Sequence, residues 1–168
     1  MYSKIKIAGH PVHPMLVPFP IAFYTATLFC FIIYAFNADP FWFRAGIASN
    51  VAGVAMAIIA ASMGFLDWLL GIPSGTRAKV DGIIHMSFNS VALVLFVISL
   101  GLNAGQWSAA APVMRLAIIL PLLGVVSTVS AGFFGWKLVQ THHVGVEFSQ
   151  SEEACITTAS TFEHRKAA

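Results

Sequence analysis

The run AGIASNVAGVAMAIIAASMGFLD, Ala45 to Asp67, decides the architecture of this chain. Residues 45–66 hold no ionisable side chain, and about 20 helical residues suffice to cross the hydrocarbon of a bilayer. The run lacks the alternation of a barrel strand, and lipid offers no water to exposed backbone groups, so it reads as a transmembrane helix. Gly46, Asn50, Gly53, Ala57, Ala60, Gly64 and Asp67 recur at alternating intervals of four and three, which is one helix face. Small residues on a face let a second helix approach closely, so this face points into a bundle. The stripe ends in a carboxylate, Asp67, which reads either as a helix-end cap or as part of a site.

Three further runs of comparable character, 15–36, 83–104 and 113–138, bring the spans to four, the last long enough to tilt. The composition agrees: 58% hydrophobic and 10% charged, with mean hydropathy +0.81, lies outside the range of soluble domains. The fold class is therefore an all-α integral membrane protein, a four-transmembrane-helix bundle. Lys4 and Lys6 precede the first run, but its length of about 22 residues exceeds the 7–15 of a removable signal core, so it is retained. Lys4, Lys6, Arg77, Lys79, Lys137, Arg165 and Lys166 fall with the termini and the middle connection, against Arg44 and Arg115 on the other side. This bias places both termini in the cytoplasm. Residues 1–14 form a cytoplasmic, interfacial lead-in, 15–146 the membrane domain, and 147–168 a mobile polar tail in which His164 belongs to no site. A net charge of +2 excludes nucleic acid as a partner. Cys30 and Cys155 form neither CxxC nor CxxCH, which argues against disulfide staples and covalent haem.

The polar residues gather at one end. GHPVHPMLVPFPI (9–21) places His10 and His13 ahead of the first span. Pro14, Pro18 and Pro20 put the helix start near Pro14 and a bend near Pro18, holding His13 at the membrane surface. In the third span Asp81, His85 and Asn89 follow one another at i,i+4, continued by Ala92, Phe96 and Ser99. The fourth repeats the pattern of the second, with Gly124, Thr128, Ala131, Gly135, Leu138 and His142 on one face. His143 points about 100° away and is interfacial. No repeat of 20–50 residues is evident.

Four segments thus deliver His10, His13, Asp67, His85 and His142 to one depth. Two histidines approaching a porphyrin from opposite faces would hold a b-type haem without a covalent motif, and facing helices build such sites. His85 and His142 are the preferred ligands because each continues an inward stripe, with His13 next and His10 after it. Arg77 and Lys79, in the connecting loop, would neutralise propionates, and Asp67 or Asp81 would orient a ligand imidazole. A single transition metal held by His85, His142 and His13 is the second possibility. The competing reading is a cofactor-free accessory subunit that stabilises a membrane complex, its polar residues capping helices and facing headgroups. The small-residue stripes serve either reading, as tight packing surfaces or as room for a flat cofactor. Trp42, Trp68, Trp107 and Trp136 lie near the interfaces and form a belt. P-loop, GxSxG, HExxH and dinucleotide fingerprints are absent, and four unbroken helices make a transport pathway only as an oligomer. The chain is thus a redox or accessory membrane subunit rather than a stand-alone enzyme. Its partners are the lipid bilayer and other membrane or redox subunits, and a homo-oligomer stays open.

GHPVHPMLVPFPI at the start, GFLDWLLGIP closing the second helix, TRAKVDGIIHMSFN opening the third and GWKLVQTHHVGV closing the fourth resemble a bacterial family of four-helix membrane proteins of unknown function. The likeness runs from about Gly9 to Val146. It implies recurrent polar positions at His10, His13, Asp67, His85 and His142, and an inner-membrane setting beside electron-transfer modules. Two positions depart from the family's pattern. Many relatives carry a histidine where this chain has Pro18, and a glycine where it has His143, so no ligand is available at 18 and both His142 and His143 are candidates for the end of the fourth stripe.

Overall fold

The computed structural model describes residues 5–107 and 114–146, with the side chains of Met114 and Arg115 left out. Lys4, Cys155, His164, Arg165, Lys166 and the tail expected over 147–168 lie outside the described residues. The elements are a hairpin of β1 (Lys6–Ile7) and β2 (His10–Pro11), then α1 (Val12–Leu16), α2 (Pro18–Asn37), α3 (Pro40–Gly71), α4 (Arg77–Asn103) and α5 (Met114–Gln140). Four spans are long and apolar enough to cross a membrane: Val12–Asn37, Pro40–Gly71, Arg77–Gln106 and Leu116–Gln140. The expected four-helix membrane bundle is the fold.

Local chemistry sets the boundaries. Ala8 and Gly9, at φ 50° and 82°, supply the two left-handed residues of a tight hairpin turn. The first helix begins at Val12 rather than at the expected Pro14, because Pro14 then falls in a first turn whose N–H groups have no helical partner. Near Pro18, where a bend is expected, the structure shows a break in helical hydrogen bonding between α1 and α2 at Val17, which keeps helical dihedrals. The Ile21 N–H reaches the Val17 carbonyl at a stretched 3.5 Å, and Pro18 and Pro20 have no N–H to offer. The second span is longer than 45–66, since Asp39 caps α3 by accepting from the Phe41 N–H at 2.9 Å and Pro40 takes the first position. Thr76 likewise caps α4 through the Lys79 N–H. Arg77 and Lys79, expected in a loop, therefore lie in the first turn of α4.

Outward faces are apolar, with Phe29, Phe36, Val94, Val129 and Phe133 exposed to where lipid would lie. The inward stripes are as read: Gly46, Asn50, Gly53 and Ala60 are buried on α3, and Asp81, Ala92, Phe96 and Ser99 on α4. Six glycines each carry a flat side chain from a neighbouring helix: Gly46 meets Phe31, Gly53 Tyr24, Gly64 His13, Gly82 Trp68, Gly124 Phe96 and Gly135 His85. A Cβ at any of them would stand 2.5–3.0 Å from that ring. Trp68, expected in an aromatic belt, is in fact turned inward onto Gly82, with its indole N–H on the Lys79 carbonyl at 3.1 Å.

These contacts expose an internal repeat. His13, Tyr24 and Thr27 correspond to His85, Phe96 and Ser99, 72 positions later; Gly53, Ala60 and Gly64 correspond to Gly124, Ala131 and Gly135, 71 positions later. Each half is a helical hairpin, α2 on α3 and α4 on α5, and the halves join through α2 against α5 and α3 against α4. The pairing of α2 with α5 and of α3 with α4 is what an approximate twofold between parallel two-helix repeats would give. Two rings meet their own equivalents across it: Tyr24 and Phe96 stack with centroids 3.6 Å apart and planes within 3°, and His13 faces His85. The period exceeds 20–50 residues, and half of these matches are single glycines and alanines.

The equivalence makes a stability prediction. Gly53→Ala and Gly124→Ala should each lower stability by about 1–3 kcal/mol, the usual range for overpacking. Gly132→Ala, with nothing near its would-be Cβ, should be neutral or gain up to about 1 kcal/mol from helix propensity. Unfolding of the detergent-solubilised variants measures all three; equal behaviour of Gly132 and Gly124 would contradict the packing.

Candidate functional site

The most concentrated chemistry lies at the bundle end that holds the β-hairpin, the α3–α4 connection and the end of α5. His13 of α1 places Nδ1 2.8 Å from the Ala60 carbonyl of α3. Its equivalent, His85 of α4, places Nδ1 2.8 Å from the Ala131 carbonyl of α5. A carbonyl only accepts, so each Nδ1 carries a hydrogen, which in the neutral ring leaves the lone pair on Nε2. The contact depends on glycine: Gly64 and Gly135, one turn beyond Ala60 and Ala131, leave the space that the imidazoles fill. The two rings lie 6.3 Å apart, centroid to centroid, with an interplanar angle of 88°. The Asn89 amide donates to His85 Nε2 at 3.1 Å and to the His85 carbonyl at 3.0 Å.

One turn before His85 on α4, Asp81 makes a second cluster. Its carboxylate receives Lys137 Nζ on both oxygens, at 3.1 and 3.0 Å, and His142 Nε2 at 2.7 Å. This ties the start of α4 to the end of α5. His142 is thus the histidine that continues the α5 stripe. His143 is exposed and left-handed at φ 52°, a conformation that favours glycine over a residue with a side chain.

The remaining candidates are held elsewhere. Asp67 accepts from the Ile5 N–H at 3.1 Å and anchors the chain ahead of the β-hairpin. Lys79 directs its ammonium to the Trp68 and Ile72 carbonyls at 2.6 and 3.1 Å, over the Trp68 ring, and so satisfies the end of α3. Arg77 is exposed on the first turn of α4, and His10 is exposed with Nδ1 2.9 Å from the Ala8 carbonyl. The histidine beside His85 is therefore His13, while His142 belongs to Asp81. The groups that orient His13 and His85 are backbone carbonyls rather than Asp67 or Asp81. The trace of those carbonyls in the sequence is the Ala-x3-Gly spacing shared by the second and fourth spans. Among the described residues, no three His, Cys, Asp or Glu side chains form a group that could hold a metal ion.

A double-mutant cycle tests the second cluster. Asp81→Asn should cost about 1–3 kcal/mol by leaving Lys137 and His142 without their charged acceptor. Asp81→Asn and His142→Gln together should show a coupling of roughly 0.5–3 kcal/mol. Strict additivity in unfolding measurements would mean that the pair does not join the two helices.

No curated protein and no solved structure matches the chain. A family model described as "Predicted membrane protein (DUF2231)" matches residues 9–148, which include all four spans, the histidine pair and the Asp81 cluster. With that coverage, the chain belongs to the DUF2231 family of predicted membrane proteins.

Proposed function

We propose that this integral membrane protein would hold a non-covalent b-type haem through His13 and His85 and take part in electron transfer within a larger assembly of the bacterial inner membrane, with both termini cytoplasmic. The observation that carries the reading is the tethered pair itself: two inward imidazoles from different helical hairpins, perpendicular and 6.3 Å apart, each with Nδ1–H on a backbone carbonyl. That second hydrogen bond is the arrangement that fixes the ring and tautomer of a ligand histidine. The donor set favours haem over a bare ion. A porphyrin supplies four nitrogens of its own, whereas a bare zinc or copper takes three or four protein ligands. When bound, the haem would supply one-electron chemistry. The chain's own residues would hold and orient it. His13 replaces His142 as the partner of His85, because His142 Nε2 is engaged by Asp81. Asn89, which donates to His85 Nε2, would have to release that nitrogen and would retain its bond to the His85 carbonyl. Arg77 suits a propionate, Lys79 being committed to the end of α3.

The second reading, a cofactor-free accessory subunit, draws on the six ring-on-glycine contacts, in which the chain's own rings occupy the small-residue stripes. One experiment separates the two. Protein purified in mild detergent should show a Soret band with sharp visible bands on reduction. His13→Ala and His85→Ala should each lose it, while His10→Ala and His142→Ala retain it. Absence of a Soret band together with absence of stoichiometric metal would establish the accessory reading.

A further inference from the structure

We propose that the middle of the bundle contains a trapped-water site formed by Tyr24 of α2, Asn50 of α3 and Ser99 of α4, independent of the histidine pair. The three side chains are 3%, 1% and 0% exposed. Tyr24 Oη, Asn50 Oδ1 and Ser99 Oγ have no hydrogen-bond partner among the described residues. All three residues gather around Phe96. Tyr24 stacks on its ring, the Asn50 amide donates to its carbonyl at 3.2 Å, and Ser99 follows it by one turn on the same helix face.

Orphaned polar groups at this depth cannot turn to lipid, which has nothing to donate or accept. The Asn50 amide nitrogen already donates to the Phe96 carbonyl, the atom without a partner is its acceptor Oδ1, and the other two are hydroxyls that donate or accept. One or two waters match that set: a water donates to Asn50 Oδ1 and receives from Tyr24 and Ser99, within the two to four polar partners that a buried water requires. A cation fits poorly, because none of the three groups carries the negative charge that would offset its dehydration in the membrane. Neighbouring polar groups are already satisfied within their own helices: the Thr27 hydroxyl donates to the Phe23 carbonyl and the Asn103 amide to the Ser99 carbonyl.

The internal repeat makes the site a built feature. The equivalents of Tyr24, Asn50 and Ser99 are Phe96, Pro121 and Thr27. The first two bring no side-chain hydrogen-bonding group, and the third satisfies itself on its own helix. All three orphaned groups therefore fall where the two hairpins differ, so the site occurs once in the bundle and not in both halves.

Hydroxyl-radical footprinting with X-ray pulses reads this directly, because radicals formed from trapped water modify the buried side chains that touch it. In the full-length protein in nanodiscs, Tyr24 should be modified severalfold faster than Phe31, which is fully buried in an apolar cluster with Phe43, Ile47 and Ala117. Ser99→Ala, a small change that keeps the packing, should lower Tyr24 modification at least twofold, and adding Asn50→Leu should bring it to the Phe31 level. Thermal unfolding supplies a second measurement that does not depend on the double variant folding: Tyr24→Phe and Ser99→Ala should each lower the midpoint and act non-additively. Tyr24 labelling no faster than Phe31, labelling unchanged in Ser99→Ala, or a raised midpoint in either single variant would overturn the proposal.

Discussion

A ring seated on a glycine is the contact on which this bundle depends. Lipid tails are as apolar as leucine, so burial of apolar surface does little to join helices inside a membrane, and close van der Waals packing has to do it. The glycine stripes of α3 and α5 let flat side chains of α1, α2 and α4 lie directly against backbone. The same contact sets the polar chemistry. Because Gly64 and Gly135 carry no side chain, His13 and His85 come close enough to bond helical carbonyls that a larger residue one turn on would cover. Packing and tautomer are consequences of one choice of residue.

The duplicated hairpin explains why the two histidines meet. Each hairpin places one imidazole near the start of its first helix and one Ala-x3-Gly step near the end of its second. Pairing the hairpins about an approximate twofold brings equivalent rings together across the axis, first His13 with His85 and, eleven residues further along each helix, Tyr24 with Phe96. The halves then diverge in what surrounds these pairs. Asn89 bonds only the second histidine, and the Lys137–Asp81–His142 cluster belongs to the second hairpin. In the first hairpin the corresponding end is tied by Asp67 to the backbone N–H of Ile5. A symmetric frame thus carries asymmetric polar decoration.

Much of the site was legible as faces but not as pairs. The stripe on α4 correctly brought Asp81, His85 and Asn89 to the interior, because a 3.6-residue period is a local property of one helix. The preference for His142 beside His85 came from the same kind of reasoning and met its limit. Both lie on inward faces at one end, but Asp81, one turn away, offers His142 a charged acceptor at 2.7 Å. Lys79 was read as a cation for a ligand, although the open carbonyls at the end of α3 lie within its reach. In both cases a group close at hand in space, and distant or unremarkable in sequence, took the side chain first.

By itself the sequence determined the membrane class, the four spans, the faces that turn inward and the end at which the titratable residues collect. These follow from hydropathy, period and capping chemistry, all of which act within about one helix length. The tertiary structure alone decided that His13 faces His85, that Asp81 holds His142 and Lys137, that Trp68 turns inward onto Gly82, and that the hairpins pair through α2 with α5 and α3 with α4. Those outcomes depend on which helices are neighbours and how far each is rotated. Both are set by the fit of particular rings over particular glycines, which no single helix encodes.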